Sequence, residues 1–266
     1  MKNLIYILLI LPVWLYSQPN CNAYLYKGDT LQYKACIEAE KIEKLYQFQR
    51  EFQETLDNSI KICPNFAYAY REKSTAYLKS GDFLTWKKLI DKAVDLDFSS
   101  NLGYRAWCRY QFFRDYIGAI KDIEKLDSLT NYNIGYSING DYHLNIAKGI
   151  CYSAINQKQK AIKIFNDQLN TKDYSAGLYD YYQLGVTYYE VTDLKNALKC
   201  FEKQSEINEF ADNQYYKCKI YKSQKNETEY KKHKEKALKL YAENKMLFDG
   251  YTHHFNKVYL ETIKNE

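Results

Sequence analysis

Proline and glycine are scarce in this chain, three and ten in 266 residues. So few breakers exclude a collagen-like, linker-rich or turn-dense all-β protein and suit long helices. Charge of one sign is lacking too. The 38 basic and 33 acidic residues leave a net charge of +5, too small an excess to argue for nucleic acid. Catalytic signatures are missing: no His-Glu-x-x-His, no Gly-x-Ser-x-Gly, no glycine-rich phosphate loop and no acidic calcium loop occur. Without a Cys-x-x-Cys, a redox motif is excluded as well. What is present is 46% hydrophobic and 27% charged residues with 29 tyrosines, the composition of a folded chain.

Residues 1–17 read as a secretory signal peptide. Lys2 supplies the positive start, Leu4 to Tyr16 run without a charge, and Ser17 is a small residue before Gln18. The apolar run is shorter than the roughly 20 residues that span a bilayer. A retained anchor is the alternative, as is a lipid on Cys21, although Pro19-Asn20 before that cysteine fits poorly. The mature chain is therefore expected outside the cytoplasm, periplasmic or secreted, with no membrane-spanning segment left.

Two markers repeat along the chain. Tyrosines at 77, 110, 152, 188 and 221 are spaced 33, 42, 36 and 33 residues apart. Second-helix anchors at 52, 86, 119, 161, 197 and 230 follow the same series wherever both can be read, those at 119, 161 and 197 being alanines. The best copy reads Leu184-Gly185-x-x-Tyr188, then Ala197-x-x-x-Phe201. Gly149-x-x-Tyr152 with Ala161-x-x-x-Phe165, and Trp107-x-x-Tyr110 with Ala119-x-x-x-Ile123, are further copies. Apolar residues recur at helical spacing inside them, as in Ile117, Ile120, Ile123 and Leu126.

The pattern resembles the tetratricopeptide repeat, a unit of roughly 34 residues with Trp-x2-Leu-Gly-x2-Tyr, then Ala, Phe and Pro. The resemblance covers about residues 33–244. It implies an all-α, right-handed superhelical solenoid of about six stacked helical hairpins, since one hairpin cannot bury its apolar face alone. Expected boundaries are a lead-in at 18–32, repeats 1–3 at 33–130, an inserted loop at 131–141, repeats 4–6 at 142–244 and a capping helix at 245–266. The loop accounts for the 42-residue step. It is read as a tolerated insertion or as a lid shaping a site.

In that family the first helices line an inner face that binds proteins or peptides. The resemblance thus implies a groove lined by Arg71, Thr75, Tyr104, Arg105, Gln111, Tyr182, Gln183, Tyr189, Tyr215, Lys219 and Lys222. Tyrosine and arginine suit such a surface. The chaperone-binding members clamp a terminal carboxylate with a Lys, Asn, Asn, Lys, Arg set. Thr75, Arg105 and Ala147 stand where three of those residues would be, so that use is disfavoured.

The expected function is accordingly a non-enzymatic, exported scaffold for a protein or peptide, with no cofactor, no metal and no nucleic acid. One alternative is a subunit of an envelope assembly that uses its convex or end face. Another is an enzyme with a site near Arg71, Tyr104 and His143. Three smaller expectations accompany it. His253 and His254 are taken as solvent-exposed, because neighbours on a helix point about 100° apart. Nine lysines against three glutamates in 217–239 form a solvated face or a patch for an acidic partner. Cys200 and Cys218, on helices expected to be adjacent, are the candidate disulfide among seven cysteines.

Overall fold

The computed structural model describes residues 19–250 and 252–266. The leader expected at 1–17 lies outside the described residues. Fourteen α-helices account for most of what is described, and the only β feature there is an isolated bridge between Tyr136 and His143. No helix among the described residues is long and apolar enough to cross a membrane.

The chain divides into two compact units, residues 1–96 and 97–266. The first holds α1 (Cys21–Tyr26), α2 (Thr30–Ala39), α3 (Arg50–Ile62), α4 (Ala67–Ser80) and α5 (Phe83–Leu96). Here α2 pairs with α3 and α4 with α5. The second holds α6 (Phe98–Phe112), α7 (Tyr116–Leu129), α8 (Leu144–Ala154), α9 (Lys158–Leu169), α10 (Asp180–Glu190), α11 (Leu194–Ile207), α12 (Ala211–Ser223), α13 (Glu227–Ala242) and α14 (Leu260–Asn265). Four hairpins form within it: α6–α7, α8–α9, α10–α11 and α12–α13.

The turn inside the hairpins is one device used five times. A single residue takes left-handed backbone at Gly81, Arg114, Asn156, Thr192 and Lys225. Those positions repeat at 33, 42, 36 and 33 residues, the spacing of the tyrosines. In four of the five turns the next residue caps the following helix. Asp82 accepts from the Thr85 amide at 3.0 Å, Asp115 from Gly118 at 2.9 Å, Asp193 from Asn196 at 3.1 Å and Asn226 from Glu229 at 3.2 Å. Each such oxygen satisfies an amide that the helix leaves without a partner. Only the first turn has the glycine that left-handed backbone prefers.

Paired helices approach most closely at two glycines. A Cβ on Gly149 would stand 2.8 Å from Phe165 Cε1, and one on Gly185 2.6 Å from Phe201 Cε1. Ala161, Ala197, Phe165 and Phe201 are all fully buried. Tyr188 is partly buried against the cluster holding Ala197 and Phe201, and its hydroxyl accepts from Asn166 Nδ2 at 3.0 Å. Small residues here let the helices meet face to face, with aromatic rings filling the space between.

The C-terminal region differs from the expected capping helix over 245–266. Helix is confined to Leu260–Asn265, whose Ile263 joins Val258 in packing on Ala237 and Leu240. The residues before it run irregularly, and Asn256 has a left-handed backbone. The amides of Leu247 and Val258 both bond to one carboxylate, that of Asp212, and so are unavailable to a helix.

The disulfide is elsewhere as well. Cys21 and Cys36 are joined, with Cα atoms 5.5 Å apart, whereas Cys200 and Cys218 are separate buried thiols. The repeat register gives the reason. Cys218 stands 33 residues after Gly185, so it occupies the position that faces the partner helix of its own hairpin. Its charged neighbours are accordingly Glu266, Lys234, Lys222 and Lys219, and those of Cys200 are Lys203, Asp193 and Lys199.

Candidate functional site

Within the second unit, the first helix of three hairpins meets the segment 247–258. Gln183 on α10 grips it with its whole carboxamide. Its Nε2 donates to the Phe255 carbonyl at 3.1 Å, and its Oε1 accepts from Asn256 Nδ2 at 2.9 Å. The next carbonyl, of Asn256, accepts from the Tyr182 hydroxyl at 2.6 Å. Tyr182 and Gln183 are adjacent on a helix and reach consecutive carbonyls of a turn in which Asn256 has a left-handed backbone.

Toward α6, Thr252 Oγ1 donates to the carbonyl of Gln111 at 3.0 Å, and the Arg114 guanidinium donates to the carbonyl of His253. The Phe255 ring meets Tyr116 edge-on, with centroids 5.8 Å apart. Toward α12, Asp212 holds both ends of the segment. Its two oxygens accept from Leu247 N at 3.0 Å and from Val258 N at 2.6 Å. Burial pushes the Asp212 carboxyl up to about 6, against the lowering effect of those two amides.

The inserted stretch before α8 also takes part. Tyr142 is buried; its hydroxyl accepts from Gln183 Nε2 at 3.1 Å and lies 3.5 Å from His254 Nδ1. The His254 ring packs edge-on against Tyr142 and Tyr179. His254 is therefore a buried residue, contrary to the expectation that the His253–His254 pair is exposed. That expectation assumed a helix, and these residues are not helical; His253 does face solvent. His254 Nε2 sits 3.1 Å from the Phe248 carbonyl and 3.8 Å from Asp141. With Asp249, these residues bring three ligand atoms within 4.8 Å of one another.

The residues named from sequence separate into groups. Tyr182 and Gln183 bond to the 247–258 segment through their side chains, whereas Gln111 does so only through its main-chain carbonyl, its side chain being buried. Tyr215 and Lys222 instead contact Glu266, at 3.2 Å through the tyrosine hydroxyl and at 3.1 Å through Lys222 Nζ to Oε1. Tyr189 and Tyr215 share Lys219, whose ammonium lies 5.4 and 5.6 Å from their ring centroids. Tyr104 packs on Trp107 with centroids 6.1 Å apart. Arg105 is a correction. It does not face the groove but turns to α7 and forms a bidentate pair with Asp122, at 2.9 and 2.7 Å. Arg109 completes that buried pair at 2.8 Å.

In the first unit, Arg71 pairs with Glu72 at 3.0 Å and lies over the Tyr68 ring, and Thr75 Oγ1 donates to the Arg71 carbonyl at 3.3 Å. His143, set with Arg71 and Tyr104 in the enzymatic alternative, caps α8. Its Nδ1 accepts from Asn145 N at 3.1 Å and its Nε2 lies 2.7 Å from Asn133 Oδ1. Burial lowers its pKa to about 4, which keeps the ring neutral. Sequence reasoning missed Arg114, Tyr116, Tyr142 and Asp212. The first, second and last lie at helix boundaries, and Asp212 carries one visible signal, an acid directly after Phe210-Ala211.

No protein-family model and no curated protein matches the chain. Solved structures do. PilW, described as a widely conserved type IV pilus biogenesis factor, is 14% identical with a TM-score of 0.58, covering 84% of this chain and 90% of its own. PilF of Pseudomonas aeruginosa is 13% identical with a TM-score of 0.57, covering 84% and 89%. A tetratricopeptide repeat protein from Parabacteroides merdae is 14% identical with a TM-score of 0.45, covering 83% and 90%. The recurrent hairpins, their turns and the glycine–phenylalanine contacts define the class: a tetratricopeptide-like helical-repeat fold.

Proposed function

We propose that this chain is an exported, non-enzymatic repeat scaffold that binds a protein or peptide partner through the face of its first helices. One observation carries the reading. A loop of the chain itself lies across that face, held by side chains bonded to its backbone carbonyls. Grips of this kind read polypeptide backbone whatever most of its side chains are. The fold shared with PilW and PilF supports a place in the envelope, as does the apolar leader in the sequence. Nucleic acid is disfavoured by the state of the α13 lysines. Lys231, Lys232 and Lys236 are paired with Glu227, Glu229 and Glu209 at 3.3, 2.9 and 2.7 Å, leaving a solvated face rather than a bare basic one.

Site-specific photocrosslinking in native envelope extract tests the reading. A crosslinker at Tyr189 on the first-helix face should capture a discrete protein, and one at Lys239 on α13 should not. Capture from Lys239 alone would overturn the proposal in favour of an assembly subunit that uses its outer face.

A further inference from the structure

We propose that residues 247–258 form a built-in competitor, a strap that partners of this face must displace, and that those partners are peptides carrying an aromatic residue followed by a carboxamide in a turn. The inference rests on the reading of the first-helix face as the partner site, and it adds what fills that site and what kind of peptide replaces it.

The strap's attachment is uneven. Its ends are fixed: Leu247 and Val258 are buried in two separate clusters, and their amides share the Asp212 carboxylate. Lys257 Nζ closes the loop by donating to the Leu247 carbonyl at 2.7 Å. Between those ends the contacts are chiefly hydrogen bonds from Tyr182, Gln183, Arg114 and Thr252, with one buried side chain, His254. All of these hydrogen bonds but that of Arg114 are neutral and contribute little net free energy each, and the described residues of the stretch have no regular secondary structure, so it belongs to the part of a fold that opens locally. Asp212 can keep both ends in place while the middle lifts.

The face beneath is specialised for what lies on it. Gln183 and Tyr182 are almost wholly buried. With the strap lifted, the Gln183 oxygen would lose Asn256 and the Tyr182 hydroxyl would lose the Asn256 carbonyl. Those polar groups then need replacement partners, from water or from a peptide. A peptide meets the demand by offering two consecutive carbonyls and one carboxamide donor, with an aromatic ring beside Tyr116. Phe255-Asn256 is this chemistry, supplied in cis.

The test supplies it in trans. A fluorescent synthetic peptide of residues 247–258 is titrated against the full chain and against a Phe255→Ala, Asn256→Ala double variant, with anisotropy as the readout. An occupied face weakens apparent affinity by the fraction of time it is open. The double variant should therefore bind the peptide about tenfold or more tightly than the unaltered chain. Adding Gln183→Ala should remove that gain. Equal binding by both chains, or no binding by a double variant that retains its helical signal, overturns the proposal. Hydrogen exchange on the unaltered chain gives a second reading that needs no variant. Amides of the strap between its ends should exchange well before those in the middle of α10; exchange of both in one step overturns it. Neither assay contains the native partner. Peptide competition without envelope crosslinks would refute the proposed function and leave the strap intact, and the converse result would refute the strap alone.

Discussion

Replacing Gly185 by alanine tests the packing on which the repeat fold rests, because sign alone decides the outcome. Alanine in a helix interior is favoured over glycine by about 1 kcal/mol. Were this a loosely packed position, the substitution would stabilise the chain. The new Cβ would instead stand 2.6 Å from Phe201 Cε1 and 2.8 Å from Cδ1, well inside contact distance. The ring has no free direction of retreat. Phe201 is fully buried, stacks on Tyr216 at 5.6 Å and meets Tyr182 at 6.2 Å. Overpacking of this kind costs about 1–3 kcal/mol. Set against the helix gain, a net destabilisation of about 1 kcal/mol is expected, a fall of about 2–4 °C in melting temperature for a unit of this size. Denaturant unfolding of Gly185→Ala, Phe201→Leu and the double variant completes the cycle. In the Phe201→Leu background the alanine should be neutral or stabilising, a coupling of about 1 kcal/mol or more. A stabilised Gly185→Ala chain, or no coupling between the two sites, would refute the close approach of α10 and α11.

Two further outcomes are expected. Arg105→Ala should destabilise the chain by about 3 kcal/mol in thermal unfolding, at the low end for breaking a buried pair because Arg109 still faces Asp122; unchanged stability would return Arg105 to the groove. Alkylation of the nonreduced protein should leave Cys200 and Cys218 slow to react while folded, their thiols raised by burial to about 12 and about 11. Both should label once the chain is unfolded, whereas Cys21 and Cys36 should label only after reduction, and a Cys200–Cys218 peptide in the nonreduced map would contradict the assignment.

The repeat was legible because it is written in packing residues. Tyr188, Ala197 and Phe201 have fixed roles in one junction, so their types recur with the unit. Its turns were mostly illegible. Gly81-Asp82 announces itself, but Arg114, Thr192 and Lys225 adopt the same left-handed backbone without a residue that prefers it, and only the shared spacing reveals them. Position in a repeat also does not settle what a side chain meets. Arg105 and Gln183 fall in the same column of the repeat once the 42- and 36-residue steps are counted. Asp122 claims the first and the strap claims the second. The capping helix expected over 245–266 is cut back to Leu260–Asn265 for a similar reason. Asp212, 46 residues from Val258, takes the amide a helix would need, and no local pattern carries that competitor.

The two departures from regular repetition form one feature. The surplus in the 42-residue step ends at Tyr142, and the irregular tail begins after α13; between them His254 and Tyr142 meet, with Asp141 3.8 Å from the imidazole. Tyr142 also takes the hydrogen bond of Gln183 that the strap leaves free, since Gln183 Nε2 carries two protons and Phe255 accepts only one. An uninterrupted repeat would bring neither group to α10. The inserted loop therefore acts as the floor and end wall on which the tail is seated, and the regular hairpins act as the frame that brings loop and tail to the same helix. The tail is thus held by Gln183, Tyr142 and Asp212 through contacts that the repeat pattern alone does not specify.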